Sequence, residues 1–235
     1  KNMDVYVRLR EKDRLAALGE MAAGLAHEIR NPLGAIKGAA QYLEPQTAGP
    51  SGAFLTVIVE EVNRLNKVVT QFLDYSRPLA ADLVEYDVGN IIERTVALFQ
   101  SEQLAGGAAC AIEMVPPAGG FSQIPRLRCA PEQIKQVLVN LVQNGVNAVK
   151  DNPTDRPAKI RVGAYTQRRN RDRVLEVVVF VEDNGKGISR EDVEKIFIPF
   201  YTTSPGGTGL GLSICSRIVE AHGGRFDVVS EDGRF

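Results

Sequence analysis

Two runs of apolar residues, spaced alternately three and four apart, constrain this chain more than any other feature. The first run places Leu15, Leu18, Ala22, Leu25, Ile29, Pro32, Ile36, Ala39 and Leu43 on one seam. The second places Leu55, Ile58, Val62, Leu65, Val69 and Phe72 on the same rhythm and stops before Pro78. Such spacing holds one stripe in register along a helix packed in a bundle or coiled coil. Between the runs lies Glu44-Pro45-Gln46-Thr47-Ala48-Gly49-Pro50-Ser51-Gly52, dense in helix breakers. Two long helices joined by a short loop form an antiparallel hairpin. A lone hairpin cannot enclose its own seam, so two copies pairing into a four-helix bundle is the economical solution. The alternative is a hairpin docked on the rest of its own chain.

Beyond Pro78 the pattern turns mixed. Helices are expected over Val88–Gln103, Pro131–Lys150 and Thr208–Ala221, the last stopped by Gly223-Gly224. Strands are expected over Cys110–Val115, Lys159–Thr166 and Val174–Glu182, with another starting at Arg225–Ser230. Arg168–Arg173 reads as a solvated hairpin tip. Strands and helices mix without strict alternation, which predicts an α+β chain: a helical hairpin over 1–80, then helices layered on one sheet over 81–235.

Composition narrows the function. The chain is 44% hydrophobic and 24% charged, enough apolar matter for a core. Lys plus Arg number 28 against 29 acidic residues, so no electrostatic footprint suggests nucleic acid. Cys110, Cys129 and Cys215 are odd in number and far apart, without a CxxC, as suits a reducing cytoplasm rather than a disulfide or zinc framework. No apolar run is long enough to span a bilayer. Opening on Lys1 inside a helical pattern, the chain reads as a fragment, with any membrane attachment upstream.

One histidine stands out. His27 is two residues from both Leu25 and Ile29, about 200° of helix rotation off the seam, and so faces water. Asn31 follows one turn above it, Glu28 is the adjacent carboxylate, and Pro32 deprives the Glu28 carbonyl of its helical donor. An exposed imidazole beside a carboxylate at a built-in bend is a nucleophile arrangement.

Three later segments suit a polar ligand. In the helix over Pro131–Lys150, Asn140, Asn144 and Asn147 fall within about 60° of one another, opposite Ile134, Leu138, Leu141, Val142 and Val149. Asparagine is a poor helix former, so a stripe of it suggests a ligand over that face. Asp183-Asn184-Gly185-Lys186-Gly187 follows an apolar strand and offers a carboxylate with glycines that permit close backbone approach. Gly206-Gly207-Thr208-Gly209-Leu210-Gly211-Leu212 opens a helix whose unpaired N–H groups and dipole favour phosphate. It is neither a Walker loop nor a dinucleotide fingerprint.

The string from Gly19 to Leu33, with His27-Glu28-Ile29-Arg30-Asn31-Pro32 at its centre, resembles the phosphoacceptor box of bacterial two-component sensor histidine kinases, nearest the nitrogen-regulation sensors. The asparagine helix and the two glycine segments resemble the ATP-binding fold shared by histidine kinases, DNA gyrase, the heat-shock chaperone and mismatch-repair ATPases. The resemblance covers nearly the whole chain. It implies that His27 is phosphorylated, that Glu28 accepts its proton, and that Asn31 orients a water when a response regulator is dephosphorylated. It implies a homodimer, ATP and magnesium as cofactors, and a response regulator receiver domain as partner. Asp183 would take the adenine amino group, and Gly185 and Gly187 would make room for the base and the start of a lid. Asn144 would hold the magnesium with Asn140 beside it. Gly207, Gly209 and Gly211 would wrap the phosphates, with Thr203, Thr208 and Leu210 in the same set. Phe197 and Phe200, in Ile196-Phe197-Ile198-Pro199-Phe200-Tyr201-Thr202-Thr203, would pack the lid.

Departures from the family pattern are Gly145 for the usual Ala, Ser204 for a common Lys, Ala130 for a common Asp, and a missing last strand after Phe235. The hydrolytic relatives carry a Glu at the place of Asn140, and an amide cannot take a proton from water. ATP would therefore be held for transfer to a protein nucleophile rather than hydrolysed. The competing readings are a clamp-type ATPase, which would release phosphate steadily, and a scaffold or regulator phosphatase whose ATP site is only structural.

Overall fold

The computed structural model describes residues 29, 33–34, 36–43, 50–76, 82–106, 110–150, 157–168, 175–204 and 207–230. His27, Glu28, Asn31, Gly206, the expected hairpin tip at 169–173 and the first run as far as Leu25 lie outside them. The chain divides into two compact units, one of Lys1–Leu79 with Pro205–Leu210 and the other of Ala80–Ser204 with Gly211–Phe235.

The first unit holds α1, helical at residues 29, 33–34 and 36–43, and α2, Pro50–Ser76. Lys37 Nζ donates to Asn63 Oδ1 at 2.8 Å between them. The hairpin does not enclose the expected seam by itself. Leu33 and Ala40, seven residues apart, are buried at 9% and 4% exposure, whereas Ile29, Ile36 and Leu43 are 39%, 49% and 47% exposed. On α2, Val62 and Leu73 are buried while Ile58 and Leu65 stay exposed. A step from 33 to 36 rotates the helix by about 60°, so two neighbouring heptad stripes exist and the hairpin covers only one of them.

The second unit is built on a three-stranded sheet in the order β2–β4–β5. β1 is Val84–Tyr86, β2 Cys110–Val115, β3 Leu127–Cys129, β4 Ala158–Arg168 and β5 Leu175–Asp183. β2 runs parallel to β4, β4 pairs antiparallel with β5, and β1 and β3 form a separate antiparallel pair. Register puts Ile160 opposite Asp183 and Val162 opposite Val181, so the inward face of β4 is Ile160, Val162 and Ala164, all buried. Against it lie α3, Val88–Gly106, and α4, Pro131–Lys150. Val88, Ile92 and Val96 from α3 and Leu138, Val142 and Val146 from α4 meet those strand residues in one core. Burial of each such aliphatic side chain contributes roughly 1.5–3 kcal/mol.

Local chemistry sets the ends of these elements. Asp87 Oδ1 accepts the Gly89 N–H at 2.8 Å, a carboxylate cap on the first turn of α3. Gln100 Nε2 donates to the Ile112 carbonyl at 2.8 Å and so covers part of strand β2. On the opposite face of the sheet, Arg161 pairs with Glu182 and Lys159 with Glu113, each at 2.7 Å.

Three sequence expectations shift. The last helix, α6, is Gly211–Ala221 and begins three residues later than expected, Gly207 and Gly209 staying outside the helix. Residues 225–230 are not a strand: they make no ladder with β5 and are tied by side chains, Arg225 to Glu176 at 3.5 Å and Ser230 Oγ to the Ile188 N–H at 2.8 Å. The short β1, β3 and α5, Arg190–Val193, had no sequence signal strong enough to announce them. Among the described residues no helix is long and apolar enough to cross a membrane.

Candidate functional site

The asparagine stripe exists as the helical spacing predicts. Val137, Leu138, Val142, Gly145, Val146 and Val149 line the buried side of α4. Asn144 and Asn147 are exposed and Asn140 half-buried on the other side. Asn147 Oδ1 accepts from Gln143 Nε2 at 3.2 Å. Asn140 Nδ2 donates to Cys215 Sγ on α6 at 3.7 Å. A Cβ built on Gly211, the first residue of α6, would lie 4.0 Å from the Asn140 carboxamide carbon. The asparagine face and the opening of α6 are thus neighbours.

Asp183 ends β5. Its Oδ1 accepts the Gly185 N–H at 2.9 Å, an Asx turn. Burial pushes its carboxyl above the usual range, and the Gly185 N–H pulls it partly back. Asn184 locks the same turn, its Oδ1 taking the Lys159 N–H and its Nδ2 donating to the Pro157 carbonyl, each at 2.8 Å. Gly145 lies directly beneath, where a Cβ would sit 3.3 Å from the Asp183 Cβ.

Gly185 has a reason other than ligand access. A Cβ there would fall 2.6 Å from the backbone carbon and the Cβ of Ala148, so the glycine lets the turn press onto α4. Gly187, at φ 72, and Gly209, at φ 69, occupy the left-handed region, where a side chain is strained. Gly207 and Thr203 are exposed, whereas Leu210 is fully buried. In the first unit the Thr208 hydroxyl donates to the side-chain oxygen of Gln71.

Of the two phenylalanines expected to pack the lid, Phe197 has an aromatic neighbour among the described residues. Its ring meets Phe226 edge-on with centroids 5.3 Å apart. Phe200 is 60% exposed and holds φ at 68. Beside it Tyr201 donates to Asp192 Oδ1 at 2.5 Å. That bond draws the Asp192 carboxyl below its usual range and raises the Tyr201 phenol.

Among the described residues no three His, Cys, Asp or Glu side chains cluster as metal ligands. The donors on the α4 face are amides, which suit a hard cation whose other ligands are phosphate oxygens and water. A concavity of about 390 Å³ is lined by Glu113, Val115, Lys159, Arg161 and Glu182 together with Asp183 and Asn184, and two ion pairs, Lys159–Glu113 and Arg161–Glu182, run along it. It is not the asparagine site.

Comparison with known proteins decides the family. Residues 17–80 match the His Kinase A (phospho-acceptor) domain. Residues 129–234 match the histidine kinase-, DNA gyrase B- and HSP90-like ATPases. The chain belongs to the two-component sensor histidine kinases. Among curated relatives, it is 35% identical over 227 residues to the signal transduction histidine-protein kinase AtoS of Escherichia coli, covering 96% of this chain and 35% of AtoS. It is 36% identical over 225 residues to the sensor histidine kinase ZraS of Klebsiella oxytoca, covering 95% of this chain and 45% of ZraS. Sporulation kinase E of Bacillus subtilis is 32% identical, with 97% of this chain and 29% of that kinase covered. The chain therefore spans less than half the length of these relatives. Among solved structures, histidine kinase ThkA in complex with response regulator protein TrrA superposes at a TM-score of 0.58 with 31% identity, over 95% of this chain and 61% of ThkA. Full-length ShkA in complex with AMPPNP shares the fold, with a TM-score of 0.64, 23% identity, and 87% and 41% coverage.

The helical hairpin and the ATPase-type α+β unit thus match the fold expected from the sequence. Two side chains at the α4–α6 junction, Cys215 and His222, were not singled out by the sequence. For His222 there was no local signal, its partner Ala130 lying 92 residues earlier in the chain. For Cys215 there was none.

Proposed function

We propose that this histidine kinase core binds ATP between the asparagine face of α4, the Asp183 turn and the glycine segment ahead of α6, and phosphorylates His27. In that step an imidazole nitrogen of His27 attacks the γ-phosphorus. The N–P bond forms as the bond from the γ-phosphorus to the β,γ-bridging oxygen breaks, and ADP leaves. Glu28 takes the imidazole proton. The phosphoryl group then passes to an aspartate of a response regulator receiver domain, and Asn31 orients water when the same protein dephosphorylates that partner. Asn144, with Asn140 beside it, would hold a magnesium ion, which neutralises phosphate charge. Asp183 would accept the adenine amino group, with Gly187 opening the lid and Thr203, Gly207, Thr208, Gly209, Leu210 and Gly211 around the phosphates.

The observation carrying this reading is the meeting of Asn140 with the start of α6. It sets a stripe of neutral amides beside a helix N-terminus, and no carboxylate stands in the place from which the hydrolytic relatives activate water. Phosphoryl transfer needs chiefly positioning and charge neutralisation, which such a site supplies. Support for a homodimer comes from the first unit. Ile29, Ile36 and Leu43 on α1, with Ile58 and Leu65 on α2, form heptad-spaced apolar stripes that the hairpin leaves exposed.

Incubation with γ-labelled ATP tests the proposal. The expected product is an acid-labile, base-stable phosphoprotein that does not form in His27→Gln. Label persisting in that variant removes His27 as the nucleophile, and steady phosphate release without labelling favours a hydrolytic ATPase.

A further inference from the structure

α6 is fastened to α4 at two points. At its end, His222 Nε2 accepts the Ala130 N–H at 3.0 Å. Seven residues earlier, Cys215 is fully buried and its Sγ lies 3.9 Å from the Val137 carbonyl and 3.7 Å from Asn140 Nδ2. A thiol buried in this way keeps its hydrogen at neutral pH. The Val137 carbonyl has no hydrogen to give, so the S–H donates to it. What remains on the sulfur is a lone pair, which can only accept. The partner offered to it must then be the N–H end of the Asn140 amide, and the carbonyl end of that planar group points elsewhere.

An asparagine free to turn presents either end to a ligand. Its oxygen suits a cation and its nitrogen suits a phosphate oxygen. We propose that Cys215 is a positioning residue that holds the Asn140 amide with its oxygen toward the ligand, so that the asparagine face favours a metal–nucleotide complex over the free nucleotide. The inference rests on the asparagine face being the nucleotide site. Valine at 215 has nearly the volume of cysteine but accepts nothing, so the oxygen-outward state would leave the amide N–H unpartnered. Serine keeps both a donor and an acceptor.

The test is calorimetric titration of ATP, with magnesium and with EDTA, into the whole chain and its variants, alongside thermal melting. For Cys215→Val, the affinity in magnesium is expected to fall about three- to ten-fold while the affinity in EDTA holds, the loss corresponding to the net contribution of one hydrogen bond. Cys215→Ser is expected to keep the wild-type ratio of the two affinities. His222→Leu, which loosens the same helix pair at its other end, is expected to lower the melting temperature without changing that ratio. A wild-type ratio in Cys215→Val overturns the proposal. Should that variant fail to fold, Cys215→Ala carries the same comparison. Asn144→Ala separates the two levels of argument: if wild type shows no magnesium dependence and Asn144→Ala binds ATP as wild type does, the nucleotide-site reading itself has failed. If wild type is magnesium-dependent and Cys215→Val matches it, only the positioning role has failed.

Discussion

The imidazole of His222 joins two helices that are distant in sequence: Nε2 accepts the backbone N–H of Ala130 at 3.0 Å, and Nδ1 lies 2.7 Å from the Ile218 carbonyl. Both bonds together require the tautomer with its hydrogen on Nδ1. Ala130 precedes Pro131 at the head of α4 and cannot cap the helix with its own side chain. Gln133, placed where a capping-box residue would reach back, has a buried Oε1 without a partner. His222→Leu should therefore destabilise the fold by about 1–3 kcal/mol, the cost of an unmet buried N–H. His222→Gln, whose amide both accepts and donates, should recover part of it. Urea unfolding of the two variants measures the difference, and equal midpoints for Leu and wild type would dismiss the clamp.

Asp183 pits binding against stability. Its carboxyl is raised in the fold by burial, so the native state binds that proton more tightly than the unfolded chain does. The group's contribution is most favourable at low pH and declines as pH climbs from the unfolded value through the raised folded one. At neutral pH the ionised carboxylate is thus a net cost to folding. Asp183→Asn can keep the Asx turn to Gly185 through its own side-chain oxygen while shedding that charge. It should melt no lower than wild type at pH 7, yet bind ATP at least ten-fold more weakly, roughly the loss of one hydrogen bond to a charged group. Calorimetry and melting on the same sample decide it, and unchanged affinity would reject the adenine role.

Two neighbouring glycines should respond oppositely to alanine. At Gly185 the new Cβ would meet Ala148 backbone at 2.6 Å, and a helix backbone does not yield cheaply. A loss of about 1–3 kcal/mol, as for overpacking, is expected. At Gly145 the nearest atoms are the Asp183 Cβ at 3.3 Å and the δ-methyl of Ile160 at 3.4 Å, which need to give by only tenths of an ångström. Helix propensity then favours alanine by up to about 1 kcal/mol. Denaturant midpoints below wild type for Gly185→Ala and above it for Gly145→Ala are the expected pair.

The uncovered stripe of the hairpin predicts its assembly. Ile36 and Leu65 are 49% and 43% exposed in the single chain. A charge at either would be buried if two hairpins pair over that stripe. Ile36→Glu with Leu65→Glu should convert a dimer to a monomer in sedimentation velocity, while circular dichroism of the second unit stays unchanged. Wild type sedimenting as a monomer at micromolar concentration would discard the bundle.

The sequence by itself determined the elements whose signal is periodic and local. The stripes of α2 and α4 were legible because a helix repeats every 3.6 residues, and the alternation of β4 because a strand repeats every two. The turn at Asp183-Asn184-Gly185 was legible because its chemistry lies within three adjacent residues. What tertiary structure alone decided was which of two adjacent heptad stripes the hairpin buries, since Leu33 and Ile36 are both apolar and differ only in what faces them. It also decided that Gly185 serves the approach of Ala148, and that Asn140 rests on Cys215 and Ala130 on His222, partners 75 and 92 residues apart. No periodicity links such pairs. A sulfur or an imidazole finds its role only when separate helices are pressed together over a shared core, and that packing is a property of the whole unit rather than of any window along the chain.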